Sequence, residues 1–342
     1  MRIELPISKS IANRLLILQA IHGDGLMTVS CDMPDDVQIM SEAIRLLGER
    51  REARIDLGNC GTAMRFLTAY CAQLEGQTTI LDGVERMHHR PIGQLVDALR
   101  EIGADIEYLG EEGFPPLRIK GCILDKHRIV TINNPLSTQY ISALLLIGAN
   151  VITNSTSPYI YITQEVIKQY QLSPFSFHLT VEKDWSAAAF WYEYVALHGG
   201  EVTLPGLLRD SLQGDKVVAD IFTYLGVHTT YTDEGVVISF SPLHPTPYIL
   251  YHDFVACPDL YPAVALTCER LGIELHATGV ESLPLKESDR LRAVREHRTD
   301  ADHRMAMALL IAGYEVDDTA CISKSYPQFL EQFHRMNTLK LQ

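Results

Sequence analysis

The chain has little positive charge. Its 342 residues include 29 Lys and Arg against 43 Asp and Glu, so the net charge is −14 at pH 7. Proteins that bind nucleic acid or anionic membrane over a broad surface carry an excess of basic residues. We therefore expect no nucleic-acid partner and no membrane partner. Any anionic ligand must meet a local basic pocket within an acidic protein.

The chain also lacks the residue spacing of a disulfide framework or a metal site. None of its seven cysteines stands in a C-x-x-C pair, and an odd number fits reduced thiols better than paired ones. The histidines, including the adjacent His88 and His89, show no metal-ligand spacing. We therefore expect reduced cysteines and no bound metal.

Long apolar runs are missing as well. The most apolar stretch, residues 141–152, is too short to span a bilayer, and residues 1–6 lack the apolar core of a signal peptide. Together with the reduced cysteines, these features predict a cytoplasmic protein.

What the chain does have is size, a globular composition and a repeated pattern. A chain of 342 residues usually forms two domains, and 46% hydrophobic with 21% charged residues is typical of globular proteins. A unit recurs about six times: a polar or Gly-containing cluster, a helix of small and apolar residues, a second amphipathic helix, and short β-like runs between units. Predicted helices include 92–102 and 187–197, and predicted strands include 78–81. The pattern indicates an α/β protein built from duplicated units.

Five polar clusters that contain a cation stand at the starts of apolar stretches, and in four of them the cation lies near a small hydroxyl, amide or Gly residue. They are residues 8–14, 59–65, 286–290, 302–307 and 323–325. Free backbone N–H groups and the helix dipole favour an anion at a helix start, and Lys or Arg adds full charge. Several such clusters predict a ligand with more than one anionic group.

Six segments in register resemble a known family. Residues 5–14, 57–65, 86–93, 211–215, 286–291 and 302–307 are similar to motifs of 5-enolpyruvylshikimate-3-phosphate (EPSP) synthase, or 3-phosphoshikimate 1-carboxyvinyltransferase. The resemblance runs in family order from about Leu5 to about Phe329. It implies a two-domain inside-out α/β barrel, the enolpyruvyl transferase fold, with three βαβαββ repeats per domain around a pseudo-threefold axis. Domains would comprise 8–182 and 183–342, with 1–7 rejoining the second, and the active site would lie in the cleft between them.

The resemblance also implies a reaction. The family moves the enolpyruvyl group of phosphoenolpyruvate onto the 5-hydroxyl of shikimate 3-phosphate and releases phosphate, in the shikimate pathway of aromatic amino-acid biosynthesis. Two phosphates and two carboxylates must be held against their repulsion, which accounts for several basic clusters. Family members need no metal or organic cofactor. We expect these two small molecules to be the binding partners and the protein to be a monomer.

The residues that match the family's shikimate 3-phosphate ligands are Lys9, Ser10, Arg14, Ser137, Thr138, Gln139, Thr156, Asp259 and Lys286. Arg14 suits bidentate binding of a carboxylate. The match at Thr156 is looser, and a plain turn explains that segment equally well. Lys9, Asp259 and Glu287 match catalytic positions. Asp259 lies next to the 5-hydroxyl as candidate general base and Glu287 near the methylene carbon as candidate acid, although a Pro-Asp pair is also a common helix start.

The residues that match the phosphoenolpyruvate ligands are Lys9, Asn59, Gly61, Arg90, Gln139, Arg290, His303, Arg304 and Lys324. The arginines offer forked donors to carboxylate and phosphate. Gly61, lacking a side chain, would let backbone amides approach the ligand.

The sequence departs from the family in two respects. Ile7 stands where the family has a glycine, and the chain is short between Leu47 and Asp56, between Gln171 and Val181, and between Arg290 and His303. The last two segments leave no room for the strands that the family places there. Either residues of a longer protein are absent from this sequence, or the protein itself is trimmed at these places.

Two other functions stay open. The sister enolpyruvyl transferase acts on UDP-N-acetylglucosamine, but we find neither an Arg-Pro-Gly-Cys loop nor a Lys-Asn pair near the start. The second alternative is an inactive anion-binding relative. The full set of Lys9, Asp259, Glu287, Arg290 and Lys324 argues against it.

Overall fold

The computed structural model describes residues 1–172, 181–241 and 248–340 and divides into two compact units. We call Lys9–Cys31 with Asp36–Leu179 the N-terminal unit, and Met1–Ser8 with Asp32–Asp35 and Thr180–Gln342 the C-terminal unit. The sequence prediction placed the domain boundaries at residues 8 and 183.

The N-terminal unit alternates helices and strands. Its elements are α1 (Lys9–His22), α2 (Asp35–Glu49), β1 (Glu52–Asp56), α3 (Gly61–Ala72), β2 (Thr78–Asp82), a 3₁₀ helix (Glu85–His89), α4 (Gly93–Glu101), β3 (Asp105–Tyr108), β4 (Leu117–Lys120), β5 (Ile129–Thr131), α5 (Thr138–Leu146), β6 (Asn150–Ile152) and α6 (Pro158–Leu172). The first sheet has the order β1-β2-β4-β3, with β1 and β2 parallel and the other pairs antiparallel. The run from β1 to β4 is therefore one complete βαβαββ repeat, and β5 and β6 form a parallel pair joined by α5.

The C-terminal unit continues the alternation. Its elements are α7 (Trp185–His198), β7 (Glu201–Pro205), a 3₁₀ helix (Gly214–Val217), α8 (Val218–Thr223), β8 (Val227–Thr232), β9 (Gly235–Phe240), β10 (Ile249–Asp253), a 3₁₀ helix (Pro258–Leu260), α9 (Tyr261–Leu271), β11 (Glu274–Thr278), a 3₁₀ helix (Leu283–Leu285), α10 (Arg290–Glu296), α11 (His303–Ala312), a 3₁₀ helix (Ala320–Lys324) and α12 (Phe329–Lys340). An antiparallel sheet has the order β7-β9-β8, and β10 pairs with β11 in parallel.

The first residues of the chain belong to the C-terminal unit. Arg2 forms a parallel bridge with Thr203 of β7, and the Ile3 amide donates to the Thr203 carbonyl at 2.9 Å. Ile3 and Leu5 are buried in the same core as α7. This packing leaves Lys9, the first residue of α1, shortly after the chain crosses into the N-terminal unit.

The helices α3, α7 and α11 are buried along nearly their whole length because they consist mostly of small and apolar residues. Every residue of α7 from Trp185 to Ala196 is buried, including Trp191 and Glu193. Such helices lie in the core of their unit. The predicted site residues Gly61 and His303 are the first residues of α3 and α11.

Where the sequence is shorter than the family pattern, the connections between elements of the structure are short. α2 ends at Glu49 and β1 begins at Glu52. α10 is followed by α11 through a turn in which His297, Asp300 and Ala301 adopt positive φ, and no strand lies in residues 297–302. The β10–β11 sheet consequently lacks the last two strands of a βαβαββ repeat in this part of the chain. The shortened stretch between Gln171 and Val181 lies largely outside the described residues.

Across the described ranges, no helix has the length and apolar character required to cross a membrane.

Candidate active site

The N-terminus of α1 places Lys9 beside an aspartate of α2. Lys9 Nζ lies 2.9 Å from Asp36 Oδ2, and the two side chains are only 12% and 4% exposed. This ion pair holds the ammonium of Lys9 against the start of α2. The sequence prediction included Lys9 but missed Asp36. The sequence does show an acidic pair, Asp35 and Asp36, at the start of an amphipathic helix. Acidic residues are common at helix starts, so this pair did not indicate a functional residue.

Arg14, one turn further along α1, is held inside the unit. Its Nε donates to Thr163 Oγ1 at 2.7 Å, Nη2 donates to Ser142 Oγ and the Tyr159 carbonyl at 3.1 Å each, and Nη1 donates to the Ser10 carbonyl at 2.6 Å. The side chain is 3% exposed, and burial lowers the Arg14 pKa to about 10. In this arrangement a bidentate contact with a carboxylate would require Arg14 to release one of these bonds.

Asn59, Gly61 and Arg90 meet at the N-terminus of α3. Arg90 Nη1 donates to the Asn59 carbonyl at 3.2 Å and to Asn59 Oδ1 at 3.3 Å. The guanidinium also lies over Gly61, where an added Cβ would stand 2.4 Å from Nη2. Among the described residues the buried Nε of Arg90 has no hydrogen-bond partner. This donor lies beside the start of α3, where we expect an anion to bind.

The N-terminus of α5 adjoins that of α3. Ser137 caps α5, its hydroxyl accepting from the Gln139 amide at 3.3 Å, and Thr138 is the first residue of the helix. Gln139 Nε2 donates to Thr62 Oγ1 at 2.9 Å, which links the two helix starts. Thr156 is exposed in the turn that precedes α6.

Asp259 is the centre of an ionic cluster in the C-terminal unit. Arg290 Nη1 approaches its Oδ1 to 2.7 Å, Arg304 Nη2 approaches its Oδ2 to 2.8 Å, and Lys286 Nζ lies 3.5 Å from Oδ1. Burial alone would raise the Asp259 pKa, but the three cations together hold it well below its ordinary value. Asp259 is therefore ionised at neutral pH in this arrangement.

Glu287 and Asp302 extend the cluster through Arg290. Arg290 Nη2 lies 3.1 Å from Glu287 Oε2, Arg290 Nε lies 2.8 Å from Asp302 Oδ2, and Lys324 Nζ lies 3.1 Å from Glu287 Oε1. Arg290 is 1% exposed. Burial opposes its charge, yet the neighbouring carboxylates raise the Arg290 pKa. The predicted anion-binding cations of this unit are thus neutralised by carboxylates of the chain itself.

The N-terminus of α11 carries the remaining predicted residues. Asp302 caps the helix by accepting from the Arg304 amide at 2.9 Å, and the fully buried His303 has its Nδ1 3.8 Å from Asp302 Oδ1. In the described part of the chain, the buried Nε of Arg304 has no hydrogen-bond partner. Asp302 belongs to a motif that the sequence prediction used without giving this aspartate a role.

Asp215 interacts electrostatically with Asp259 and Arg304 of this cluster. Like Asp302, it was given no role by the sequence prediction. Its pKa is raised to about 7, first by burial and then by the charge of Asp259, against the opposing effect of Arg304. The Ser186 hydroxyl donates to its Oδ2. No local pattern distinguished this residue from the other members of the motif at 211–215.

The two groups of residues differ in how their cations are balanced. In the N-terminal unit Arg14 and Arg90 donate to neutral oxygens, whereas in the C-terminal unit Arg290 and Arg304 contact carboxylates. The structure thus joins the predicted residues Asp259, Lys286, Glu287, Arg290, Arg304 and Lys324 in one cluster of the C-terminal unit. The predicted residues of the N-terminal unit form separate contacts at the starts of α1, α3 and α5, and Thr156 is exposed. Within the described residues, no group of three or more His, Cys, Asp or Glu side chains could hold a metal ion.

Comparison with known proteins identifies the family. The model of EPSP synthase (3-phosphoshikimate 1-carboxyvinyltransferase) matches residues 1–173, 147–299 and 294–333. The chain belongs to the EPSP synthase family. The 3-phosphoshikimate 1-carboxyvinyltransferase of Bacteroides fragilis is 38% identical over 396 positions, which cover 97% of this chain and 94% of that protein. The protein of the same name from Colwellia psychrerythraea is 29% identical over 420 positions, covering 97% and 96%.

Solved structures give the same result for the fold. An EPSP synthase from Acinetobacter baumannii superposes with a TM-score of 0.67 at 19% sequence identity, covering 98% of this chain and 95% of that one. The predicted fold, that of the enolpyruvyl transferases, is confirmed, as is the predicted family. The alignments with EPSP synthases are longer than the chain itself, so these relatives carry residues that this chain lacks.

Proposed function

We propose that this protein transfers the enolpyruvyl group of phosphoenolpyruvate to the 5-hydroxyl of shikimate 3-phosphate and releases phosphate. It is a transferase of the shikimate pathway. The observation that carries the proposal is the 38% identity to a 3-phosphoshikimate 1-carboxyvinyltransferase over 97% of the chain. The sister activity on UDP-N-acetylglucosamine has no comparable support.

For shikimate 3-phosphate we keep the residues that the resemblance assigned. Those of the N-terminal unit are Lys9, Ser10, Arg14, Ser137, Thr138, Gln139 and Thr156, and those of the C-terminal unit are Asp259 and Lys286. Support comes from charge, because a buried arginine that contacts only neutral oxygens gains a counter-ion when an anion binds. Arg14 meets this description, and we assign it to the carboxylate of the substrate.

For phosphoenolpyruvate the assigned residues are Lys9, Asn59, Gly61, Arg90, Gln139, Arg290, His303, Arg304 and Lys324. The Nε groups of Arg90 and Arg304 have no hydrogen-bond partner within the described residues, and they support this assignment because each offers a donor to a carboxylate or phosphate. Arg290 and Lys324, by contrast, already contact carboxylates of the chain. Arg290 contacts Asp259, Glu287 and Asp302, and Lys324 contacts Glu287. The substrate must compete with these carboxylates for the same cations.

That competition bears directly on proton transfer. When substrate anions draw Arg290 and Arg304 away from Asp259, the pKa of this aspartate rises toward its ordinary value, and it becomes a better base. Asp259 then removes the proton of the 5-hydroxyl as the hydroxyl oxygen attacks C2 of phosphoenolpyruvate, and Glu287, in its protonated form, delivers a proton to the methylene carbon. In the tetrahedral intermediate the bond from C2 to the phosphate oxygen then breaks while a proton of the methyl group returns to Glu287, and phosphate leaves with the proton that Asp259 had taken. We assign Lys9 to both substrates, as the resemblance implies.

Two further properties stay predictions. The protein is expected to be cytoplasmic, and none of the seven cysteines, all of which lie in the described ranges, forms a disulfide, which suits a reducing compartment. It is expected to be a monomer that uses no metal or organic cofactor.

The test is an assay of phosphate release with purified, EDTA-treated protein. Shikimate 3-phosphate and phosphoenolpyruvate should yield phosphate and enolpyruvylshikimate phosphate in equal amounts. UDP-N-acetylglucosamine in place of shikimate 3-phosphate should yield none. A folded protein that releases no phosphate with either acceptor would be the inactive anion-binding relative, and release only with the nucleotide sugar would identify the sister enzyme.

A further inference from the structure

Arg14 is a buried cation without a carboxylate partner among the residues that bind it. Its acceptors are two hydroxyls and two backbone carbonyls, and its guanidinium carbon lies 5.3 Å from the centre of the Phe66 ring. Arg290 of the other unit is equally buried but contacts three carboxylates. Removing a cation from water without a counter-ion is costly, so the contacts that keep Arg14 buried must serve some purpose.

The two hydroxyl acceptors belong to neighbouring helices. Ser142 lies on α5 and Thr163 on α6, both side chains are fully buried, and their Oγ atoms are 2.8 Å apart. Thr163 Oγ1 is also 2.8 Å from the Tyr159 carbonyl, and Ser142 Oγ lies 3.5 Å from it. Among the described residues, Arg14 is the one charged group that hydrogen-bonds to these hydroxyls, and no carboxylate does.

The hydrogens of this network have a fixed direction. Each hydroxyl carries one hydrogen. Because Arg14 donates to both hydroxyl oxygens, Thr163 and Ser142 must donate their own hydrogens to other acceptors, which are Ser142 Oγ and the Tyr159 carbonyl. The Tyr159 carbonyl, which can only accept, is the last acceptor of this hydrogen-bond network. Neither hydroxyl can therefore turn its hydrogen toward Arg14, and the guanidinium is held on its Nε and Nη2 side.

The side that remains is Nη1. It carries two hydrogens, and the described residues supply one acceptor for them, the Ser10 carbonyl. Arg14 consequently keeps one donor and its uncompensated charge next to Ser10, a residue of the basic motif at 8–14. A guanidinium anchored in this way loses little freedom when it binds an anion.

We propose that Thr163 and Ser142 are positioning residues for shikimate 3-phosphate, because they anchor Arg14 with its remaining donor and its charge available to the substrate carboxylate. This inference rests on the proposed function. Both side chains are fully buried, so we infer that they act through Arg14, and neither was assigned a role from the sequence.

The test compares three substitutions. Thr163→Val keeps the shape and removes the acceptor for Arg14 Nε. Because a hydrogen bond to a charged group is involved, we expect the KM for shikimate 3-phosphate to rise by about tenfold to a hundredfold. The KM for phosphoenolpyruvate should change by less than about twofold, since Arg14 is not assigned to it. Thr163→Ser restores the hydroxyl and should restore the KM.

Thr68→Val is the matched control. Thr68 is equally buried in the same unit, and its hydroxyl donates only to the Met64 carbonyl of its own helix, at 2.6 Å. It should lower thermal stability to a similar degree and leave both KM values unchanged. A purely structural role for Thr163 would make the two valine variants behave alike, which would overturn the proposal.

The remaining outcomes are also decisive. If Thr163→Val does not fold, Ser142→Ala takes its place with the same expected rise in the KM for shikimate 3-phosphate. Wild-type protein that turns over while Thr163→Val and Ser142→Ala keep wild-type KM values would overturn this inference alone. Wild-type protein without activity would overturn the proposed function, and the inference with it.

Discussion

Arg90 lies so close over Gly61 that a Cβ on Gly61 would stand 2.4 Å from Arg90 Nη2 and 2.6 Å from Cζ. Contacts that short do not occur, so any side chain here forces the guanidinium away. Gly61 begins α3 without a positive φ, and its backbone therefore suits any residue. The glycine is required by the neighbouring arginine and not by the conformation of the chain.

We expect Gly61→Ala to raise the KM for phosphoenolpyruvate because Arg90 must leave its position at Asn59. Losing one charge-assisted contact corresponds to roughly tenfold or more. The KM for shikimate 3-phosphate should change little. Steady-state kinetics with each substrate varied in turn measures both values.

Gly48 provides the control for that substitution. It lies in the exposed last turn of α2, where an added Cβ meets nothing within 4 Å. Gly48→Ala should leave the kinetics unchanged and stabilise the helix by about 0.5–1 kcal/mol. Equal kinetic effects of the two substitutions would contradict the steric explanation.

Asp259 and Glu287 should act on turnover more than on binding. Each of Asp259→Asn and Glu287→Gln removes a proton acceptor or donor, and general acid–base catalysis contributes about 10²–10⁴-fold. We expect kcat to fall within that range, while the dissociation constant of shikimate 3-phosphate, measured by titration calorimetry, changes far less.

Asp233→Asn, in the exposed turn between β8 and β9, is the control for charge removal in the same unit. It should keep wild-type kcat. Wild-type turnover in Asp259→Asn would instead remove that aspartate from the mechanism, and likewise for Glu287→Gln.

The pair of Lys9 and Asp36 makes a different prediction. Asp36→Asn keeps an oxygen that Lys9 can donate to but removes the negative charge 2.9 Å from Nζ. Because Lys9 is assigned to both substrates, we expect kcat/KM to fall by about tenfold for each of them. Initial-rate measurements at low concentration of either substrate provide this comparison. A fall for one substrate alone would mean that Lys9 serves only that one.

Much of the fold followed from periodicity. The helix predicted at 92–102 is α4 (Gly93–Glu101), and that predicted at 187–197 is α7 (Trp185–His198). The strand predicted at 78–81 is β2 (Thr78–Asp82). By contrast β5 (Ile129–Thr131) and β6 (Asn150–Ile152) were missed because three residues are too few to show an alternating pattern.

The candidate site was predictable only where its residues share a motif. Lys9, Gly61 and Arg304 stand in clusters at helix starts, which the sequence displays directly. Thr163 and Ser142 are 149 and 128 residues from Arg14 in sequence and lie within apolar helices. Only the packing of α1 against α5 and α6 brings them to the guanidinium, and no local pattern in the sequence records that packing.

Glu193 supplies a prediction about stability and pH. It is fully buried in the middle of α7, and neither carboxylate oxygen has a hydrogen-bond partner among the described residues. Burial raises its pKa well above the ordinary value of 4.5 because an apolar interior disfavours the charged form. The unfolded chain ionises this group near pH 4.5, whereas the folded protein keeps it protonated. Its contribution to stability is therefore complete below pH 4.5 and is lost as the pH rises toward the folded-state pKa.

Glu193→Gln removes the titration and keeps the size of the side chain. Because raising a carboxyl pKa by one costs about 1.4 kcal/mol of stability at higher pH, we expect the variant to gain at least that much relative to wild type between pH 4.5 and pH 8. Thermal unfolding at several pH values measures the difference. Glu331→Gln, on the exposed face of α12, should show a constant difference from wild type across the same range. A parallel pH dependence of wild type and Glu193→Gln would mean that Glu193 is ionised in the folded protein, with a partner that compensates its charge.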